Sequence, residues 1–181
     1  MEDIQNTISP WHKEGIDMYK VDRYARDRVL KSASLLRQYV KEGDIVLDVG
    51  CFTQEARKYF GKFVTYIGID QKAYHPETRV MDLNYGFTPI VCSHALCLET
   101  LEHLLNPKSV LQSICQSIGQ DGHVVISLPN ESTIFHRFRC LLGIVDQECF
   151  SYLSKHLHLP SLKQSEQFLH ELFVIESQMY Y

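Results

Sequence analysis

The sequence predicts an α/β domain built on a mostly parallel sheet with helices on both faces. Three observations predict it. Short apolar runs such as Ile45–Val49 have the composition of strands buried on both faces. They alternate with segments whose apolar residues recur at helical spacing. A glycine turn follows the first run directly, at Gly50. The 181 residues suit one domain overall, long enough to bury a core without disulfide or metal staples. Within it, residues 1–42 read as a lead-in and a helix, and residues 43–181 as the main domain.

Residues 1–20, with Pro10 and Trp11, have few periodic apolar positions and read as irregular, partly helical near Ile16 to Tyr19. From Asp22 to Val40, Tyr24, Val29, Leu30, Ala33, Leu36 and Val40 mark a helix that Gly43 ends. Ile45–Val49 is the first strand. Thr53–Phe60 reads as a helix with Thr53 as N-cap and Gly61 past its end. Thr65–Asp70, Arg79–Asp82 and Ala95–Glu99 read as further strands, the last running into a helix near Leu101–Leu104. Pro107–Ile118 is a helix with proline in its first turn, and His123–Leu128 a fifth strand stopped by Pro129. Ser161–Leu172 is a helix whose Ser161 and Gln164 have capping-box spacing, and Phe173–Met179 a sixth strand. Ligands of such sheets sit at the carboxyl ends of the strands, so function is sought just after Val49, Ile69, Met81, Leu98 and Leu128.

Composition narrows the partners. A formal net charge of −4 gives no electrostatic reason to hold nucleic acid. Cys51, Cys92, Cys97, Cys115, Cys140 and Cys149 form no C-x-x-C pair and no metal spacing, so no metal is expected; they read as reduced, mostly buried residues. The polar N-terminus lacks a signal core and no apolar stretch approaches a membrane span, so the expected location is cytoplasmic.

The chemistry concentrates at the strand ends. The first strand closes with Asp48-Val49-Gly50-Cys51-Phe52-Thr53-Gln54-Glu55. A glycine there lets backbone approach a ligand, and a following helix start offers free N–H groups to an anion. Asp70 ends the second strand about 20 residues further on, where an acid accepts hydrogen bonds from ribose hydroxyls. Val80-Met81-Asp82-Leu83-Asn84 places Asp82 after the third strand, and Glu99-Thr100-Leu101-Glu102-His103-Leu104 follows the fourth.

Gly43–Gly50 resembles the opening of the class I S-adenosylmethionine-dependent methyltransferase motif Asp/Glu-x-Gly-x-Gly-x-Gly. Phe52 and Gln54 stand where its second and third glycines belong. Gly68-Ile69-Asp70-Gln71 and Asp82-Leu83 are similar to that family's ribose and adenine motifs. Leu98-Glu99 running into Leu101-Glu102-His103-Leu104 resembles the type-11 methyltransferase domain. Gly122–Asn130 matches the fifth strand of the same group. The segments Ile134–Gly143 and His156–Leu159 resemble insertions in methyltransferases of glycan-synthesis loci and in the methionine-biosynthesis protein W group.

The resemblance implies a Rossmann-like fold and S-adenosylmethionine as cofactor. It also implies a small-molecule or glycan-precursor acceptor. Asp48, Gly50, Cys51, Asp70, Gln71, Asp82, Leu83 and Glu99 then form the cofactor site. His103 and His156 are candidate proton acceptors, and Asn130 and His158 candidate acceptor contacts. Plainer readings stand beside these. Asp48 with Gly50 shapes a turn, Asp82 with Asn84 forms another, and His103 packs a helix. The apolar residues Ile134, Phe135, Phe138, Leu141 and Leu142 read as packing or a dimer contact rather than an acceptor wall.

The family's fold closes with a seventh strand, for which the sequence offers no segment. An unpaired edge invites a homodimer or a protein partner. The lost glycines and the short end favour a second hypothesis, a non-catalytic methyltransferase-like binding partner. A nicotinamide dehydrogenase would carry Gly-x-Gly-x-x-Gly where Gly50-Cys51-Phe52-Thr53-Gln54-Glu55 stands.

Overall fold

The structure is a computed structural model, and it describes residues 23–129, 157–158 and 161–179. Residues 1–22, Asn130, the apolar segment 134–143 and His156 lie outside the described residues. The elements are α1 (Arg23–Arg37), β1 (Ile45–Val49), β2 (Thr65–Asp70), β3 (Arg79–Val80), β4 (His94–Leu98), α2 (Pro107–Ser117), β5 (Val124–Ser127) and α3 (Leu162–His170). Two 3-10 turns, Glu55–Tyr59 and Leu101–His103, follow β1 and β4.

The strands form one parallel sheet in the order β3-β2-β1-β4-β5. Strand order reverses between β1 and β4, which opens a crevice at their carboxyl ends. Asp48 stands in register with Gly68 of β2 and Leu96 of β4, so the candidate motifs arrive at one edge.

Alternation along β1 divides the core. Val46 packs with Val29, Ala33, Leu36 and Phe60 on the α1 face. Leu47 and Val49 pack with Val110, Leu111 and Ile114 of α2 on the other, where Phe168 and Leu169 of α3 join them. Each apolar side chain so buried contributes roughly 1.5–3 kcal/mol. Helices therefore cover both faces, as the Rossmann-like expectation requires.

Local chemistry sets the helix ends. Arg37 ends α1, and its Nη1 donates to the Val40 carbonyl at 3.1 Å. The Asn106 side chain accepts from Ser109 N–H at 3.2 Å ahead of Pro107, which needs no N–H partner at that position. Ser161 and Gln164 form the capping box expected of them.

Several expected elements differ. Thr53–Phe60 is not a helix capped by Thr53: a five-residue 3-10 turn begins only at Glu55, because Phe52 (φ 42) and Gln54 (φ 57) hold left-handed backbone. Gly61 (φ 71) ends it, as expected. β3 stops at Val80 because Asp82 turns the chain by accepting from Asn84. Phe173–Met179 forms no strand. Val174 is 88% exposed, and side chains tether the segment, Glu176 accepting from the Tyr39 hydroxyl at 3.2 Å and pairing with His123.

Candidate active site

The loop after β1 is the centre of the candidate site. Gly50 (φ 74), Phe52 and Gln54 all adopt positive φ, the conformation that glycine tolerates and other residues resist. The three positions of the glycine pattern thus keep a glycine-like backbone although only one is glycine. Gly50 itself has no room for a side chain, since a Cβ would lie 2.1 Å from the Thr100 hydroxyl oxygen. That hydroxyl lies within reach of the Leu98 carbonyl at 3.0 Å and the Val49 carbonyl at 3.3 Å, joining the ends of β1 and β4.

Gln54 does not project outward. It is buried, its Nε2 donates to Thr78 Oγ1 at 3.2 Å, and its Oε1 accepts from Arg57 at 3.3 Å. It fills the space above Gly68, where a Cβ would meet Gln54 Nε2 at 2.6 Å and Cys51 Sγ at 2.8 Å. Phe52 donates its N–H to Asp70 Oδ2 at 2.9 Å, and its ring lies 4.6 Å from that of Tyr74. Among the described residues the buried hydroxyl of Thr53, between them, has no hydrogen-bond partner.

Asp48 is buried on the α1 face and accepts from the Tyr66 hydroxyl. Burial, with a smaller push from the Asp70 charge, raises its carboxyl to about 7 against the opposing Tyr66 bond. Burial beside Asp48 lifts the Cys51 thiol to about 12, which removes it as a nucleophile at neutral pH. Asp70 Oδ1 accepts from Lys72 N–H at 3.3 Å, and Gln71 is exposed beside it.

Asp82 Oδ1 accepts both the backbone and the side-chain N–H of Asn84 at 2.9 Å, the turn that sequence reading offered as its plainer role. Leu83 is buried in the core with Leu101 and Leu104. Glu99 (φ 48) follows β4 directly; its Oε1 accepts from Ser127 Oγ at 2.8 Å, and Oε2 faces Arg28 Nη1 at 3.6 Å. His103 is partly exposed, with Nε2 3.9 Å from the buried Glu102 carboxylate. The Glu102 carbonyl accepts from Leu157 and His158 N–H, and His158 Nε2 donates to the Leu104 carbonyl at 2.9 Å. His158 therefore docks on the turn that carries His103.

The fold brings Asp48, Gly50, Cys51, Asp70, Gln71, Asp82, Leu83, Glu99 and His103 to the carboxyl edge, and Asn130 and His156 fall outside the described residues. Sequence reading missed Thr100, Tyr66, Arg28 and Ser127. Strand parity held a signal for one of them: Gly68 is in register with Asp48, so Tyr66, two residues earlier, shares its face. Among the described residues no group of three His, Cys, Asp or Glu suits a metal, and no helix is long and apolar enough to cross a membrane.

Comparison with known proteins agrees with this geometry. No curated protein matches the sequence. A candidate methyltransferase of Bacillus halodurans superposes with a TM-score of 0.61 at 17% identity, covering 81% of this chain and 68% of that one. A structure of the Haloferax volcanii Trm112 methyltransferase activator with a candidate methyltransferase gives 0.61 at 15% identity, covering 84% and 72%. The YcgJ protein of Bacillus subtilis gives 0.56 at 15%, covering 78% and 67%. Such low identities establish a shared fold. The family model described as a methyltransferase domain matches residues 19–172, and the chain belongs to that methyltransferase-domain family.

Proposed function

We propose that the chain is an S-adenosylmethionine-dependent methyltransferase acting on a small-molecule or glycan-precursor acceptor. The observation that carries this reading is the loop at residues 50–54. It keeps left-handed backbone at all three glycine positions and holds a buried, unpartnered Thr53 hydroxyl, which calls for a polar ligand group. The residues present therefore fit the cofactor.

S-adenosylmethionine supplies a methyl group already activated on a sulfonium, so transfer runs largely on positioning. Asp70 and Gln71 hold the ribose hydroxyls. Asp82, beside the Leu83 backbone, receives the adenine amino group. Asp48, Gly50, Cys51 and Glu99 would hold the methionine end of the cofactor. Asn130 and His158 orient the acceptor, and His103 or His156 takes the proton from its oxygen or nitrogen.

A second reading is a non-catalytic binding partner with a degenerate cofactor loop, alone, as a homodimer or with another protein. It is favoured by Asp70, whose two oxygens already accept the Phe52 and Lys72 N–H groups. The complex of a fold neighbour, itself a candidate methyltransferase, with the Trm112 activator is a parallel for the protein-partner part of this reading alone.

Calorimetric titration with S-adenosylhomocysteine separates the two. The methyltransferase reading expects micromolar binding that Asp70→Ala abolishes. Absence of heat and of thermal shift at millimolar ligand refutes it and leaves the partner reading.

A further inference from the structure

We propose that Arg28 binds an oxyanion of the acceptor, so that the molecule methylated here carries a carboxylate or phosphate group. The inference rests on the methyltransferase reading and specifies its acceptor.

α1 runs antiparallel to the strands. Arg28 faces Glu99 at the carboxyl end of β4, whereas Tyr39, past the other end of α1, stacks on His123 just before β5 with ring centroids 3.7 Å apart. Arg28 therefore stands at the rim of the site on the β4–β5 side. The ribose and adenine acids, Asp70 and Asp82, follow β2 and β3 on the other side of the switch point. The nucleoside side of the rim carries carboxylates alone, whereas on the β4 side a guanidinium stands beside the Glu99 carboxylate.

That guanidinium is only partly satisfied. Its Nη1 lies 3.6 Å from Glu99 Oε2, beyond hydrogen-bond length, while Glu99 is held by the Ser127 hydroxyl at 2.8 Å and by a left-handed backbone. The Arg28 Nε is buried with no hydrogen-bond partner among the described residues, although 28% of the side chain is exposed. A buried donor left so costs about 1–3 kcal/mol. An arginine present only to anchor Glu99 would close on it. Instead Glu99 fixes one end of the guanidinium at a distance, and the Nε edge is left without a hydrogen-bond partner among the described residues. That edge offers two parallel N–H groups, the geometry that matches two oxygens of a carboxylate or phosphate.

The test uses the full chain saturated with S-adenosylhomocysteine. It is titrated with inorganic phosphate and, separately, acetate, at ionic strength held constant with chloride, and binding is read by calorimetry and thermal shift. Tighter binding in one arm identifies which oxyanion the site takes. Arg28→Met is expected to weaken binding by about tenfold or more. Arg28→Lys, which keeps the charge without the fork, falls between. Glu99→Gln removes a like charge beside the anion and is expected to tighten its binding. Lys31→Met, on the same helix, serves as the charge control and leaves binding unchanged.

Phosphate and acetate that cannot be told from chloride, or an Arg28→Met chain that binds them as the wild type does, overturn the proposal. S-adenosylhomocysteine binding on the same preparations separates the failures. If it persists while the anions do not bind, only the acceptor inference falls. If it is absent, the methyltransferase reading falls with it.

Discussion

Replacing Asp48 with asparagine is expected to stabilise the fold, and to stabilise it more as pH rises. In the folded protein burial lifts this carboxyl from an ordinary 3.8 to about 7. Below pH 3.8 it is protonated in both states and adds nothing. As pH climbs, the unfolded chain releases the proton first, so the folded state loses relative stability until pH passes 7. At 1.36 kcal/mol per decade the loss is about 2 kcal/mol at pH 5 and about 4 kcal/mol at pH 8. Asparagine keeps an oxygen for the Tyr66 hydroxyl and carries no charge. Its advantage should therefore grow by about 2–3 kcal/mol between those pH values, or ~5–10 °C in Tm for a domain of this size. Thermal unfolding of both proteins from pH 5 to pH 8 measures it. A gain independent of pH would refute the argument, since it would mean that Asp48 does not titrate in that window.

Two further substitutions probe the loop. Thr53→Val should leave stability unchanged or raise it by about 1 kcal/mol, because it deletes a buried hydroxyl without a partner. The same variant should bind S-adenosylhomocysteine more weakly, and equal affinity by calorimetry would deny the hydroxyl a ligand role. Gly68→Ala drives a methyl group against Gln54 and Cys51 and should cost about 1–3 kcal/mol in urea unfolding. Adding Gln54→Gly should recover much of that loss, whereas purely additive effects would show that Gln54 does not occupy the space over Gly68.

The sheet was legible because each strand is an apolar run bounded by a turn residue. Ile45–Val49 and Thr65–Asp70 form over the residues the pattern marks. What failed was local. Thr53 has the chemistry of an N-cap, but left-handed backbone at Phe52 and Gln54 delays the turn, and a side-chain preference cannot forecast a backbone imposed by packing against β2. Phe173–Met179 has strand composition, yet a strand also needs a neighbour to pair with, and Glu176 ties this segment to Tyr39 and His123 instead. Asp48, Asp70 and Asp82 could be assigned to the carboxyl edge from sequence because they sit at fixed offsets from strand ends. Arg28 and Ser127 were not, because they reach Glu99 from separate elements and no sequence spacing links them.

Strain gives an independent reason to place function at this edge. The non-glycine residues with positive φ among those described are Phe52, Gln54 and Glu99, and all three lie at the carboxyl ends of β1 and β4. Each costs roughly 1–2 kcal/mol, a large share of a stability margin that is typically about 5–15 kcal/mol. The surroundings hold each in place. Asp70 accepts the Phe52 N–H, Thr78 and Arg57 bind the Gln54 amide, and Ser127 accepts the Glu99 N–H through its carbonyl and its hydroxyl. A loop of three glycines reaches this shape because glycine allows it, and it loses much backbone freedom when a ligand orders it. Here side chains impose the shape in advance. The missing glycines thus change how the loop is held, and under the proposed function a ligand would meet a site whose ordering cost has already been met in folding.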